Sequence, residues 1–276
     1  MAGGFRVREQ KFICGKDYAT AETMQVDFFE ITEQQHKAST RKKKELASSI
    51  AKEAYNLRQS GRYLELLIQR NFRRTDYSVT YTYDNDRLPA PGDMERVDKD
   101  FSAAMKKLYR MCDKAGIEHP GWIDVAEYMT YVDGRWIGRH HHHIVMQHTK
   151  GLTREMIEKA WGDRGMARCE PLHFDHGYVV GLSKYIMKNV RCKRHWRQSR
   201  GLKPPKMPRA NDGKMSRGKL KDVCENRLED RAFWEKMYPG YTLHYCEPII
   251  TGNSTRHLIV RLYRKETGMK NRRNQP

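Results

Sequence analysis

The run GRHHHHIVM (138–146) places four histidines in a row, His140 to His143, ahead of an apolar Ile-Val-Met. β-branched residues after the histidines favour an extended chain. Side chains on a strand alternate between faces, so His141 and His143 project together while His140 and His142 project to the other side. Two neutral imidazoles at i and i+2 can aim at one cation, and a carboxylate beside them would complete a mixed nitrogen and oxygen set. The natural donor is the neighbouring strand. WIDVAEYMTYV (122–132) and WIGRHHHHIVM (136–146) flank VDGR and read as a hairpin. An odd loop, Asp133 to Arg135, sets Glu127 opposite His141 and on its face. An even two-residue Asp-Gly turn sets Glu127 opposite His140 instead. The same histidines would also suit a polar edge strand or an RNA-binding surface.

A second chemical pair lies further along. SKYIMK (183–188) puts Tyr185 and Lys188 at i and i+3, one above the other on a helix face. A phenol ionises near 10 and is a weak nucleophile at neutral pH. A cation and an ammonium nearby would favour the phenolate and offset the charge of a phosphate it attacks. Tyr178 stands seven residues earlier, on nearly the same face and about 10 Å away along a helix. Its i+3 neighbour is Gly181, which brings no charge, so Tyr185 is the better nucleophile.

The elements that must position these groups follow from pattern. YSVTYTY (77–83) alternates and is a strand. Residues 94–115 place Val97, Phe101, Ala104, Met105, Leu108 and Cys112 on one helical face. TREMIEKAWG is a helix with Thr153 as its cap, Ala167 to Phe174 is a short strand, and HGYVVGLSKYIMKNV is a final helix. The order β-α-β-β-α-β-α predicts an α+β architecture, an antiparallel sheet with helices on one face. Three segments are expected: an N-terminal extension over 1–72, this core over 73–190, and a C-terminal region over 191–276. The first holds a strand-forming stretch from Phe12 to Ile31, the basic run RKKK (41–44), and a helical stretch from about Glu45 to Phe72 that Gly61 would break in two. The last opens with 11 Lys/Arg against one acid, Asp212, between Arg191 and Leu220. Such a stretch is expected to stay extended until it meets a partner. A helix near Asp230 to Met237 and two strands, YTLHYCE and HLIVRLY, close the chain.

The 276 residues carry 53 Lys+Arg and 34 Asp+Glu, a net charge of +19. That surplus favours a polyanionic partner. No apolar run reaches the roughly 18 residues of a spanning helix, and MAGGFRVREQ has no apolar signal region, so nucleic acid is expected and a membrane is not. The six cysteines contain no CxxC pair, which argues against a cysteine-rich zinc module and for reduced thiols in a cytosolic protein. No G-x-x-x-x-G-K-[ST] occurs, so no helicase motor is expected.

Taken together, the motifs resemble the His-hydrophobic-His endonucleases, and within them the rolling-circle replication initiators of phages and plasmids. VTYTYDNDRLP (79–89) is similar to their first motif, GRHHHHIVM to their second, Glu127–Tyr128 to the acid and Tyr of the preceding strand, and Tyr185–Lys188 to their Tyr-x-x-Lys. QRNF (69–72) and SRGLKPP (199–205) extend the likeness to about two thirds of the chain. One position departs from the pattern: His142 stands where an apolar residue is usual. It would either pack under the sheet as a neutral histidine or compete for the metal. The resemblance implies a ferredoxin-like core and a single divalent ion, Mn²⁺ or Mg²⁺, held by Glu127, His141 and His143. It implies Tyr185 as nucleophile, Lys188 beside it, and Thr80 and Thr82 in structural or DNA-backbone roles. The expected partners are single-stranded origin DNA, bound by Arg139, Lys184, Lys193, Arg194, Arg197, Arg200 and Lys203, with a helicase and a polymerase of the bacterial host, in its cytoplasm. A single-tyrosine transposase or relaxase of the same superfamily, or a non-catalytic nucleic-acid-binding module, are the competing readings.

Overall fold

A computed structural model describes residues 5–14, 22–32, 50–176, 178–179, 196–206, 210–250 and 255–265. The protein is α+β with antiparallel sheets, and the chain divides into two compact units, Ser48–Pro204 and Met1–Ala47 with Pro205–Pro276. This division differs from the three segments suggested by composition. The helix before residue 72 belongs with the histidine-bearing core, while the N-terminal strands pair with C-terminal ones.

The unit Ser48–Pro204 is built on a five-stranded antiparallel sheet in the order β11-β4-β7-β3-β8. Its strands are β3 (Tyr77–Thr82), β4 (Trp122–Glu127), β7 (His141–Met146), β8 (Ala167–Pro171) and β11 (Arg197–Gln198). Two helices cross between them: α2 (Met94–Ala115) and α3 (Arg154–Trp161). The order is the split β-α-β-β-α-β arrangement. It puts β7 in the interior, with β4 on one side and β3 on the other.

Local chemistry explains these elements. The Asp93 carboxylate accepts the Arg96 N–H at the start of α2, and Gly116 ends it in a left-handed conformation that suits a residue without Cβ. The Thr153 hydroxyl accepts the Met156 N–H at the start of α3, as the sequence suggested. Gly165 sits at φ 149°, and a Cβ there would collide with the Thr82 carbonyl and the Asp84 nitrogen. Only glycine lets the chain pass so close to the end of β3.

Alternation sends Tyr77, Val79 and Tyr81 of β3, and Ile144 and Met146 of β7, to one face, where they pack with Phe101, Met105, Leu108, Ile157 and Trp161 of α2 and α3. The helices are not all on that face. α1 (Ile50–Asn71) runs unbroken through Gly61 and sets Leu64, Leu67 and Ile68 against Ile123, Val125 and Val145 on the opposite face. The expectation of one covered face is therefore corrected. Each of those three strand residues is apolar on the side that alternation would otherwise leave polar, and it needs a cover.

The unit Met1–Ala47 with Pro205–Pro276 has its own antiparallel sheet, in the order β12-β1-β2-β14-β13. Its long strands are β1 (Phe5–Cys14), β2 (Thr23–Thr32), β13 (Tyr241–Ile250) and β14 (Arg256–Arg264), and β12 is Ala210–Asn211. α4 (Arg217–Asn226) and α5 (Arg231–Met237) bring Leu220, Val223 and Trp234 onto Val26, Phe28, Val260 and Leu262. The stretch expected to remain extended is thus, where described, built into both units: β11 pairs with β4, β12 pairs with β1, and Ser216 caps α4. Among the described residues no helix is long and apolar enough to cross a membrane.

Candidate metal centre

β7 pairs with β4 so that Glu127 lies opposite His141 and Val125 opposite His143. β7 pairs with β3 so that Thr82 lies opposite His141 and Thr80 opposite His143. The register is the one that an odd loop would give, yet the turn is even. Asp133 and Gly134 form a two-residue turn with φ of 48° and 81°, inside a tip hairpin of β5 (Thr130–Val132) and β6 (Arg135–Ile137). The parity is restored lower down. Two residues, Tyr128 and Met129, separate β4 from β5, whereas Gly138, Arg139 and His140 separate β6 from β7. The extra residue is a bulge-like irregularity, accommodated by Gly138 at φ 80°. His140 fills the gap: its Nδ1 accepts the Met129 N–H at 3.2 Å, and its ring is buried.

On the far side of the sheet from α2 and α3, Glu127 Oε2 stands 3.3 Å from His143 Nε2. The two side chains are 21% and 13% exposed, so the pair is reachable by a ligand. The His141 ring lies 6.1 Å from the His143 ring. The Thr82 hydroxyl is 3.3 Å from His141 Nδ1. That contact engages one ring nitrogen, the arrangement by which a neighbouring polar group orients a ligating histidine. Burial lowers the His143 pKa, with Glu127 opposing the shift. Burial likewise lowers that of His140. Among the described residues no three His, Cys, Asp or Glu side chains are already gathered to hold an ion. The donor types do fit one. Two donors each about 2.1 Å from an octahedral ion stand roughly 3 Å apart, close to the Glu127–His143 separation.

The opposite face of β7 answers the question about His142. Its Nδ1 lies 3.2 and 3.3 Å from the two carboxylate oxygens of Asp124, both residues being fully buried. It points away from His141 and His143, among Phe101 and Trp161, and does not compete for the site. Arg197 Nε reaches Asp124 Oδ2 at 2.8 Å, and its Nη1 reaches Asp98 Oδ1 at 3.1 Å. Tyr128 in turn donates to Asp98 Oδ1. Burial alone would raise the Asp124 pKa, but His142 and then Arg197 outweigh it and hold the carboxylate ionised below its usual range. A chain His142–Asp124–Arg197–Asp98–Tyr128 thus ties β7, β4, β11 and α2 beneath the site.

Two of the arginines expected to touch DNA make contacts within the protein. Arg197 is held by Asp124 and Asp98, and its guanidinium lies 4.3 Å from the Phe101 ring centroid. Arg139 donates to the Tyr83 carbonyl and to Asn85 Oδ1, pinning the loop after β3. Arg200 and Lys203 remain exposed, and the Lys203 backbone is anchored by Asn71. Tyr185, Lys188, Lys184, Lys193 and Arg194 lie outside the described residues. Tyr178 does not sit in the first turn of a helix. It forms β10 (Tyr178–Val179), paired with β9 (Phe174–Asp175) across His176 at φ 45°, and its side chain is buried. The left-handed His176 turns the chain back where a helix was expected to begin. Sequence reasoning missed Asp124, the internal ion pairs of Arg197 and the orienting role of Thr82. The signal for Asp124 was a carboxylate on the apolar face of β4, where an unpaired charge is untenable.

No protein-family model matches the chain, and no similar curated protein or solved structure was found.

Proposed function

We propose that the chain is a metal-dependent, single-strand DNA nickase of the His-hydrophobic-His type that initiates rolling-circle replication. The observation that carries this reading is the Glu127–His143 contact of 3.3 Å on the face shared with His141. A carboxylate and two imidazoles, one in contact with Thr82, share one face of a split β-α-β-β-α-β sheet in a chain of net charge +19. Glu127, His141 and His143 would hold one divalent ion, Mn²⁺ or Mg²⁺, which when bound would neutralise charge on a non-bridging phosphate oxygen.

Tyr185 supplies the nucleophile in this reading. Its oxygen bonds to the scissile phosphorus and gives up its proton; the bond from phosphorus to the 3′ oxygen breaks, and that oxygen takes a proton. The products are a 5′-phosphotyrosine link and a free 3′-hydroxyl from which a host polymerase extends. The count of phosphoester bonds is unchanged, so the reverse attack by a 3′-hydroxyl rejoins strands without ATP. Lys188 offsets charge on the phosphate or the phenolate, and Arg200 and Lys203 contact the DNA backbone. Unwinding falls to a host helicase, in the cytoplasm of a bacterial cell. Incubating the protein with single-stranded DNA and Mn²⁺ tests the reading. A protein–DNA adduct that survives denaturing electrophoresis is expected from the wild type and not from Tyr185→Phe. No adduct across a set of candidate origin strands would overturn it.

A further inference from the structure

Between Glu127 and His141 the chain leaves the sheet, runs out along β5, turns at Asp133–Gly134 and returns along β6. These two three-residue strands leave their large apolar side chains about half exposed. Tyr131 is 51% exposed, Val132 38%, Trp136 43% and Ile137 41%. They are four of the eight large apolar side chains that stand exposed among the described residues, concentrated in one short hairpin. An isolated two-stranded hairpin is marginally stable in water, and a contiguous exposed apolar patch marks a surface that meets a partner. The hairpin is nevertheless fixed at its base. Arg139 ties it to Tyr83 and Asn85, the Met129 N–H is held by His140, and the Trp136 ring lies against Gly92.

The partner can be identified by chemistry. Tyr131 and Trp136 are a cross-strand pair with ring centroids 5.3 Å apart at 63°, edge-on rather than stacked on each other. Arg135 is exposed too, but it pairs with Val132 and so projects to the hairpin's other face. Exposed aromatic faces on a chain of net charge +19 suit bases joined by phosphates. A duplex keeps its base faces covered, so an unpaired strand is required. The hairpin continues the strands that carry Glu127 and His141. Tyr131 is four residues beyond Glu127, roughly 13 Å at about 3.3 Å per residue. That is the reach of about four stacked nucleotides at ~3.4 Å each.

We propose that the β5–β6 hairpin is a base-stacking subsite for unpaired nucleotides within about four positions of the phosphate at Glu127, His141 and His143. Its location relative to a phosphate rests on the nickase reading; the stacking itself does not. The test measures equilibrium binding of the full chain in EDTA, where cleavage plays no part. The probes are a short single-stranded oligonucleotide, its duplex, and the same strand with adjacent abasic positions. Trp136→Ala should weaken single-strand binding by at least about fivefold and leave duplex binding and the salt dependence unchanged. Trp136→Phe should restore it, and the abasic strand should bind the wild type as weakly as the intact strand binds Trp136→Ala. Unchanged single-strand affinity in Trp136→Ala, or equal losses for single strand and duplex, would overturn the subsite and leave the hairpin to a protein partner. The two readings separate in a parallel Mn²⁺ assay. Wild-type protein that forms an adduct while Trp136→Ala binds normally sinks the hairpin alone. Trp136-dependent stacking with no adduct sinks the nickase and spares the stacking.

Discussion

The two faces of β7 use one residue type in opposite ways. His142 is fully buried and pressed onto the Asp124 carboxylate beneath the sheet, while His141 and His143 stand partly open beside Glu127 above it. The difference lies in what each carboxylate can do next. Asp124 is closed off by Arg197 and reaches no solvent. Glu127 keeps 21% of its side chain exposed. A dry, closed pair contributes order; a reachable pair of donors can take a ligand. Adjacent histidines with the same partner chemistry are thus separated into scaffold and candidate site by the alternation of one strand.

The comparison breaks most visibly through stability. Replacing His142 by Ala leaves a buried carboxylate short of a partner and opens a hole beside Phe101 and Trp161. The expected loss is about 3 kcal/mol or more, a fall in Tm of roughly 6–12 °C. His143→Ala, on the open face, should hold Tm within a few degrees while abolishing metal-dependent cleavage. Thermal melts of the two variants with and without Mn²⁺ check this. If His143→Ala unfolds the chain as readily as His142→Ala, the two faces are not distinct.

Next comes the metal itself. Excess EDTA should remove cleavage, and added Mn²⁺ or Mg²⁺ should restore it. Mn²⁺ should raise the Tm of the wild type but not that of Glu127→Ala. Cleavage undiminished by chelation would end the assignment. On the same assay Tyr178→Phe should keep the covalent adduct, since the Tyr178 side chain is buried beside β9.

A smaller effect follows from protons. Burial lowers the pKa of His140 and of His143 from the ordinary 6.5. The unfolded chain then binds protons more readily than the folded one between the folded values and 6.5, so stability falls as pH drops through that window. Denaturant melts of the metal-free protein should show its midpoint declining below pH 6.5, and His140→Gln should flatten the decline. A midpoint that rises on acidification would contradict the neutral state of both rings. The smallest effect expected is electrostatic. Arg200→Ala and Lys203→Ala should each lower the salt slope of single-strand binding by about 0.7, with Tm unchanged. Arg197→Ala should instead lower Tm, because its guanidinium is an internal partner of Asp124 and Asp98.

The histidine strand, the helix over 94–115, the cap at Thr153 and the closing strands were all legible in the sequence, because each depends on neighbours within one turn or one alternation. The period of two alone separated His141 and His143 from His140 and His142. Tertiary structure decided the rest. The sequence alone left both turn lengths open, and Glu127 reached His141 through an even Asp-Gly turn plus one extra residue near Gly138. A bulge leaves no mark on local periodicity, so it is visible only in which strand partners meet. Arg139 and Arg197 looked like DNA contacts because a basic residue in a basic chain is ordinarily solvated. Their carboxylate and carbonyl partners come from the loop after β3, from β4 and from α2, up to 99 residues away in sequence. The same holds for the termini: nothing local in Phe5–Cys14 specifies pairing with Ala210–Asn211, or in Thr23–Thr32 pairing with Arg256–Arg264. Element type and facing are short-range properties that residue order encodes directly, whereas register across a bulge, the partner of a buried charge and the closure of a sheet from both chain ends are settled only when distant segments compete for the same hydrogen bonds.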